Sequence, residues 1–141
     1  MNNAATLEAF AERAIRKGAR QFVFDFKKCA GVDSTFMGLL LSIANQLSEK
    51  RKKSAGVVLI NVDDHAQKQL SSVGVDAFVT IKPGRTRLPS RLRLTELETV
   101  DVSDRERLKL MARAHKELVA SDARNKAKFG AFLDAIVSEL E

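Results

Sequence analysis

The chain contains neither tryptophan nor tyrosine, and all eight of its aromatic residues are phenylalanine. Most of these phenylalanines fall at predicted core positions, so the sequence offers no stacking platform for single-stranded nucleic acid. The net charge is +6, with basic clusters at residues 50–53 and 82–93. The run at 50–53 is typical of a helix carboxyl end, and charge alone is weak evidence. We therefore do not expect a nucleic-acid partner.

Cysteine is nearly absent, since Cys29 is the only one. A single cysteine excludes an internal disulfide and a cysteine-rich metal site. It follows a predicted buried strand, so we expect an inert, half-buried thiol. No apolar run approaches the ~20 residues of a membrane span. The first residues also lack the basic and then apolar order of a signal peptide. We expect a cytoplasmic protein without a membrane partner.

Histidine is also scarce, and neither His65 nor His115 lies in a catalytic pattern. His115 falls on the apolar stripe of a predicted helix, where a core histidine with its hydrogen bonds satisfied is expected. The run 63–65, Asp-Asp-His, resembles a ligand cluster, but carboxylates at a helix start are usually caps. There is no glycine-rich phosphate loop. The sequence predicts no enzyme, no metal and no cofactor.

The 141 residues suit one domain of ordinary size, and 45% are hydrophobic, enough for a core. Strands alternate with helices at short spacing, which predicts a parallel sheet. The predicted helices cover residues 4–17, 34–51 and 63 or 64 to 73, and the predicted strands cover 21–26, 56–61 and 77–81. Because the first strand is apolar almost throughout, we expect it to be covered on both faces. The fold class is α/β, with a small, mainly parallel sheet and covering helices.

The remainder of the chain divides into two parts. Residues 83–102 follow the α/β domain of residues 1–82 as a basic connector interrupted by Pro83, Gly84 and Pro89, with a short edge strand predicted at 99–102. Residues 103–141 form a C-terminal helical extension, and Ser103 and Glu106 have capping-box spacing at its start. The apolar stripe lapses between 120 and 128, which fits a hairpin with a break near 121–123 or one long helix. The hairpin is slightly favoured.

Helix 34–51 has two apolar stripes, whereas an ordinary surface helix has one. The second stripe must therefore be buried too, or form an interaction surface. The first stripe consists of Met37, Leu40, Leu41, Ala44 and Leu47, and the second of Phe36, Leu39 and Ile43.

The start of this helix is the most informative part of the chain. An apolar strand runs into a short loop that ends in Asp33, Ser34 and Thr35, and the apolar helix follows at once. Two hydroxyls then lie on the first helical turn, where backbone N–H groups are unpaired and the dipole favours an anion. Such residues before an apolar run are also ordinary helix caps.

The whole arrangement, with Gly38 four residues after Ser34, resembles the STAS domain of anti-sigma factor antagonists. The typical run of that family is Asp-Ser-Ser/Thr-Gly-Leu-Gly, and the resemblance covers residues 5–81. It implies that Ser34 is the phosphorylated residue, that Asp33 is the neighbouring acid, and that Thr35 is the second hydroxyl and secondary candidate.

Two departures from the family pattern stand out. Phe36 replaces the usual glycine, which alters the surface that a kinase would approach. The two strands that normally precede the first helix are missing, and three strands alone leave an open edge. Their place is expected to be taken by residues 99–102, by the C-terminal helices or by a second copy in a homodimer. The extension is expected to pack on the stripe of Phe36, Leu39 and Ile43.

The resemblance implies a partner-switching regulator. Its docking residues would be Asp33, Ser34, Thr35, Phe36, Leu39 and Ile43. The unphosphorylated protein would bind an anti-sigma factor that is also a serine kinase, so that a sigma factor is released. The kinase would supply ATP and Mg²⁺, phosphate on Ser34 would dissociate the complex, and a phosphatase would reset it. The alternative is a STAS-like scaffold or oligomerisation module without phosphorylation.

Overall fold

The structure is a computed structural model that describes residues 4–29, 31–50, 56–88 and 97–141. It has the predicted α/β fold, built on a three-stranded parallel sheet in the order β1–β2–β3. The strands are β1 (Phe22–Asp25), β2 (Val57–Ile60) and β3 (Thr80–Ile81). The helices are α1 (Ala4–Arg16), α2 (Ser34–Lys50), α3 (Asp64–Ser72), α4 (Asp104–Ser121) and α5 (Arg124–Leu140).

Local capping chemistry sets several of these boundaries as predicted. Asp63 is the N-cap of α3, and its carboxylate accepts a hydrogen bond of 2.7 Å from the backbone N–H of Ala66. Gly74 follows α3 with a φ of 79°, a left-handed conformation that glycine adopts without strain. Ser103 caps α4 by accepting from the N–H of Glu106 at 3.1 Å.

The sheet is smaller and less covered than predicted. Residues 75–77 form a 3-10 turn, so only Thr80 and Ile81 of the predicted strand 77–81 pair with β2. The predicted strand at 99–102 is also wrong, because these residues belong to neither a helix nor a strand. Val23 on β1 is 50% exposed, so β1 is covered on one face only, whereas every residue of β2 is buried. Among the described residues, no fourth strand joins the sheet.

Helix α2 forms the centre of the core, and both of its predicted apolar stripes are buried. The centroid of the Phe36 ring lies 6.4 Å from that of Phe24 in β1 and 6.0 Å from that of Phe26, which directly follows β1. This side of α2 therefore faces the sheet. The expectation that the C-terminal extension covers the stripe of Phe36, Leu39 and Ile43 is wrong for Phe36, which these two phenylalanines cover. Leu39, by contrast, lines a cavity together with Leu110 and Ala114 of α4.

The C-terminal extension is a helical hairpin, as the sequence slightly favoured, with its break at residues 122–123. Helix α4 packs along the side of α2 that carries small and polar residues, where Gly38 lies against the backbone of Ala114. Asn125 of α5 is fully buried and donates to the carbonyl oxygens of Val73 and Leu118 at 2.8 Å and 2.7 Å. The bond to Val73 ties the hairpin to the end of α3, and the bond to Leu118 joins the two helices of the hairpin.

The described residues include both ends of the basic connector of residues 83–102. Asn61 holds its beginning, because its side chain both donates to the carbonyl of Thr86 and accepts from the N–H of that residue. Farther along, the N–H of Val100 donates to the Thr6 hydroxyl of α1 at 3.1 Å. Residues 89–96, with Arg91 and Arg93, and the basic run 51–53 lie outside the described residues.

Candidate functional site

The start of α2 has the capped geometry that the sequence predicted. The Asp33 carboxylate accepts a hydrogen bond of 2.8 Å from the N–H of Phe36, and its carbonyl accepts one of 3.0 Å from Met37. Ser34 is therefore the first helical residue and Thr35 the second, and both side chains are half-buried. The ordinary capping role thus belongs to Asp33, which leaves both hydroxyls available for other contacts.

The carboxyl group of Asp33 is ionised at neutral pH. Partial burial acts to raise its pKa, but hydrogen bonds to the carboxylate, among them the bond from Phe36, outweigh burial and hold the pKa below its usual value. A carboxylate thus stands directly beside Ser34 at the start of the helix.

The side chain of Ser34 contacts His115 of α4, a partner that the sequence did not indicate. Ser34 Oγ lies 2.8 Å from His115 Nε2, and His115 Nδ1 lies 2.7 Å from the carbonyl oxygen of Met111. Because a carbonyl only accepts, Nδ1 carries the proton and Nε2 accepts the hydrogen bond from the Ser34 hydroxyl. An imidazole held in this way can take the hydroxyl proton if Oγ attacks an electrophile.

His115 is itself a core residue, as the sequence predicted, and is only 1% exposed. Two phenylalanine rings of α5 pack against its imidazole in T-shaped arrangements. The ring centroids lie 5.4 Å away for Phe129 and 4.9 Å away for Phe132. Its position on an apolar helical stripe was the visible signal. Its partner was not visible, because Ser34 is 81 residues away in sequence.

A cavity of about 320 Å³ opens beside the Ser34–His115 contact. Arg107 of α4 lines it, and its guanidinium makes no hydrogen bond or ion pair with any residue that the structure describes. The cavity thus combines a carboxylate, two hydroxyls, an imidazole and a guanidinium with apolar side chains. Its polar lining is Asp33, Ser34, Thr35, Arg107 and His115, and its apolar lining includes Leu110, Met111 and Phe132.

Gly38 explains how α4 comes close enough to reach Ser34. A Cβ atom added at Gly38 would stand 2.6 Å from the carbonyl carbon of Ala114 and closer still to its oxygen. One face of α2 therefore meets the backbone of α4 directly. Farther along the same face, Asn45 donates to the Glu117 carboxylate at 3.0 Å. The sequence marked Gly38 only as part of a motif, whereas the structure shows it as the point of closest approach.

The loop before Ser34 is held from the opposite side by Gln69 of α3. Its side-chain oxygen accepts from the N–H of Val32, and its amide donates to the carbonyl of the same residue, both at 3.0 Å. A second cavity of about 550 Å³ lies along this loop between Lys28 and Gln69. Cys29 lines it as the half-buried thiol that the sequence predicted, donating to the carbonyl of Gly31 at 3.0 Å.

Three of the six predicted docking residues are not on the surface. Phe36, Leu39 and Ile43 are 8%, 5% and 1% exposed, so the docking face that they were predicted to form is wrong for this conformation. Asp33 is exposed, Ser34 and Thr35 are half-buried, and the exposed Phe132 of α5 lines the same cavity. An available docking face therefore consists of residues 31–35 and the adjoining edge of the hairpin.

Comparisons with known proteins identify no relative of this chain, and the described residues show no metal site and no membrane-spanning helix. No protein-family model, curated protein or solved structure matches the chain. Within the described ranges, no group of histidine, cysteine and acidic side chains is arranged to hold a metal ion. In the same ranges, no helix has both the length and the apolar character to cross a membrane. The resemblance to STAS domains stays a prediction.

Proposed function

We propose that the protein is a partner-switching regulator of the anti-sigma factor antagonist kind, in which Ser34 accepts a phosphate. The observation that carries this proposal is the hydrogen bond of 2.8 Å from the Ser34 hydroxyl to His115 Nε2, at the start of a helix. An imidazole so placed favours a hydroxyl that reacts, and the helix start favours the anion that results. Thr35, on the same turn, is the secondary candidate.

The partner in this proposal is an anti-sigma factor that is also a serine kinase. In the unphosphorylated protein, residues 31–35 and the adjoining hairpin edge dock on it, and a sigma factor is released. The kinase brings ATP and Mg²⁺ to the complex. The proposed compartment is the cytoplasm, where ATP and sigma factors are found.

Phosphorylation would end the interaction through local charge. A phosphoserine adds roughly −1.5 to −2 charges at pH 7. Beside the ionised Asp33, this addition concentrates negative charge on the docking face, and burying it against a partner costs desolvation free energy. The complex therefore dissociates, and a phosphatase restores the neutral hydroxyl.

The test is intact mass spectrometry of the protein isolated from its own cells, before and after phosphatase, with the modified residue mapped. We expect one phosphate on Ser34 in the wild type and none in Ser34→Ala, while Thr35→Val keeps it. The proposal fails if the protein stays unmodified across several growth conditions and Ser34→Ala binds the same cellular partners as the wild type.

A scaffold or oligomerisation module is the second candidate, and the sheet supports it. Val23 is 50% exposed on the uncovered face of the edge strand β1, a position suited to contact with a second copy. Sedimentation equilibrium distinguishes the two candidates. A stable oligomer that Val23→Lys dissociates, together with the absence of phosphate, would favour the scaffold.

A further inference from the structure

The C-terminal hairpin places two basic side chains, those of Arg107 and His115, at the cavity that Ser34 also lines. We propose that α4 is an intramolecular phosphate receptor, in which Arg107 and His115 bind the phosphate carried by Ser34 while the hairpin stays in place. This inference rests on the proposed function for the source of the phosphate. It adds that the C-terminal extension stabilises the phosphorylated form of the same chain.

Space is the first requirement, and the cavity meets it. Its volume is about 320 Å³. A phosphoryl group adds one phosphorus and three oxygens, which is roughly the room of two to three water molecules at about 30 Å³ each. The group therefore fits beside Ser34 without displacement of α4.

Charge is the second requirement. A phosphoserine adds roughly −1.5 to −2 charges, and the partial charge of the backbone N–H groups at the start of α2 offsets only part of it. Arg107 supplies a guanidinium without a partner among the described residues, and its planar donor fork matches two oxygens of a phosphate. Lysine would offer one point charge in the same place, so the arginine fork suits this role better.

His115 completes the receptor by changing from acceptor to donor. In phosphoryl transfer from ATP, a bond forms between Ser34 Oγ and the γ-phosphorus, and the bond from that phosphorus to the bridging oxygen of ADP breaks. The proton of the hydroxyl passes to His115 Nε2, with which it already makes a hydrogen bond of 2.8 Å. The imidazolium then donates through Nε2 to the phosphate, while Nδ1 keeps its bond to Met111.

The surroundings of His115 favour this charged form once a phosphate is present. The groups that face it are the Asp33 carboxylate from the start of α2, the Arg107 guanidinium on its own helix, and the rings of Phe129 and Phe132 from α5. A protonated imidazole can donate from Nε2 to the phosphate, whereas the tautomer that accepts from the Ser34 hydroxyl cannot.

The packing of α4 explains why the hairpin stays in place. Gly38 and Ala114 meet backbone to backbone, and Asn125 ties the hairpin to the end of α3. If the hairpin moved away from α2, these buried contacts would be exposed to solvent. If the hairpin stays in place, the phosphate only has to enter an existing cavity. The receptor therefore holds the phosphate against α4 and slows its removal by a phosphatase.

The experiment uses the full chain with phosphoserine incorporated at position 34 during translation, so that no natural kinase is needed. Melting temperatures are compared with and without phosphate in the wild type, Arg107→Gln, His115→Gln and Lys116→Gln. Lys116 is exposed on the same helix and does not line this cavity, so its variant controls for loss of one charge. Each variant serves as its own baseline, which removes any general loss of stability.

We expect the phosphate to raise the melting temperature of the wild type by roughly 3–6 °C, as two charge-assisted hydrogen bonds would. Arg107→Gln and His115→Gln lose most of this rise, and Lys116→Gln keeps it. Nitrogen NMR of the phosphorylated wild type shows both ring nitrogens of His115 protonated at neutral pH.

Two outcomes would overturn the receptor. A lower melting temperature on phosphorylation, with faster hydrogen exchange in α4 and α5, means that the phosphate expels the hairpin. An equal shift in all four proteins means that the helix start alone accounts for the effect. If His115→Gln does not fold, the comparison of Arg107→Gln with the wild type decides, because Arg107 is exposed and its substitution leaves the core intact. A protein that stays unmodified in cells, together with a Ser34→Ala variant that binds the same partners as the wild type, would refute the proposed function but not this binding site, so the two failures are distinguishable.

Discussion

Replacing Gly38 by alanine tests the contact that brings α4 to Ser34. Alanine is the better helix former by about 1 kcal/mol, so helix propensity alone predicts a more stable protein. The structure predicts the opposite, because the new Cβ would stand 2.6 Å from the carbonyl carbon and 2.8 Å from the Cα atom of Ala114. Since non-bonded carbons prefer about 3.5–4.0 Å, α4 must move away by roughly 1 Å.

The size of the effect follows from what that movement disturbs. Overpacking of a core costs about 1–3 kcal/mol, with the upper end expected where backbone atoms clash. The hydrogen bonds from Ser34 to His115 and from Asn45 to Glu117 join the same two helices, and each contributes about 1 kcal/mol. After the gain in helix propensity is subtracted, we expect the free energy of unfolding to fall by about 2–4 kcal/mol.

The matched control is Gly130→Ala in α5. Gly130 is also within a helix, but a Cβ there would meet only Lys126 Cγ at 3.6 Å, an ordinary contact. The same substitution should therefore stabilise the protein by about 0.5–1 kcal/mol. Urea unfolding measured by circular dichroism gives both values, and Gly38→Ala should lower the melting temperature by roughly 6–12 °C.

Equal effects of the two substitutions would refute this reasoning. If Gly38→Ala were as stable as the wild type, the close approach of α4 would be wrong, and with it the position of His115 beside Ser34. If both variants were destabilised alike, the helices would tolerate no alanine for reasons unrelated to this contact.

The remaining predictions concern a buried amide, a helix cap and an ion pair. Asn125→Asp places a carboxylate against two backbone carbonyls, so urea unfolding should show a loss of at least about 3 kcal/mol, whereas Asn125→Ala should lose about 2–3 kcal/mol. Asp63→Ala removes the N-cap of α3 and should lower the free energy of unfolding by about 1 kcal/mol. Asp64→Ala leaves the cap in place, so as the control it should change the free energy of unfolding less. The hydrogen bonds from Arg124 lower the pKa of Asp122 to about 2, so its stabilisation is present above pH 3.8 and lost as the pH falls towards 2. Asp122→Asn should therefore flatten the pH dependence of the melting temperature in that window, and an unchanged acid profile would contradict the ion pair.

Most of the secondary structure was predictable because its causes are local in sequence. The N-caps at Asp33, Asp63 and Ser103 accept hydrogen bonds from backbone groups three residues ahead, and such pairs can be read from neighbouring letters. Short alternation of helices and strands similarly requires parallel crossovers. The prediction of a strand over 77–81 was wrong at its start, because Ala77 belongs to the 3-10 turn that follows Gly74. Apolar character alone does not distinguish such a turn from a strand.

The sequence by itself determined the fold class, the helix caps and the position of Ser34 at the start of α2, and it left a hairpin and one long helix open for the C-terminal extension. Only the tertiary structure decided that Phe36 faces the sheet, that Gly38 meets Ala114, and that His115 accepts the hydrogen bond from Ser34. The physical reason is that the face of a helix that packs, and the partner it meets, depend on shapes and distances contributed by segments up to 81 residues apart. Periodicity shows that a side chain is buried, but it carries no information about the residue that covers it.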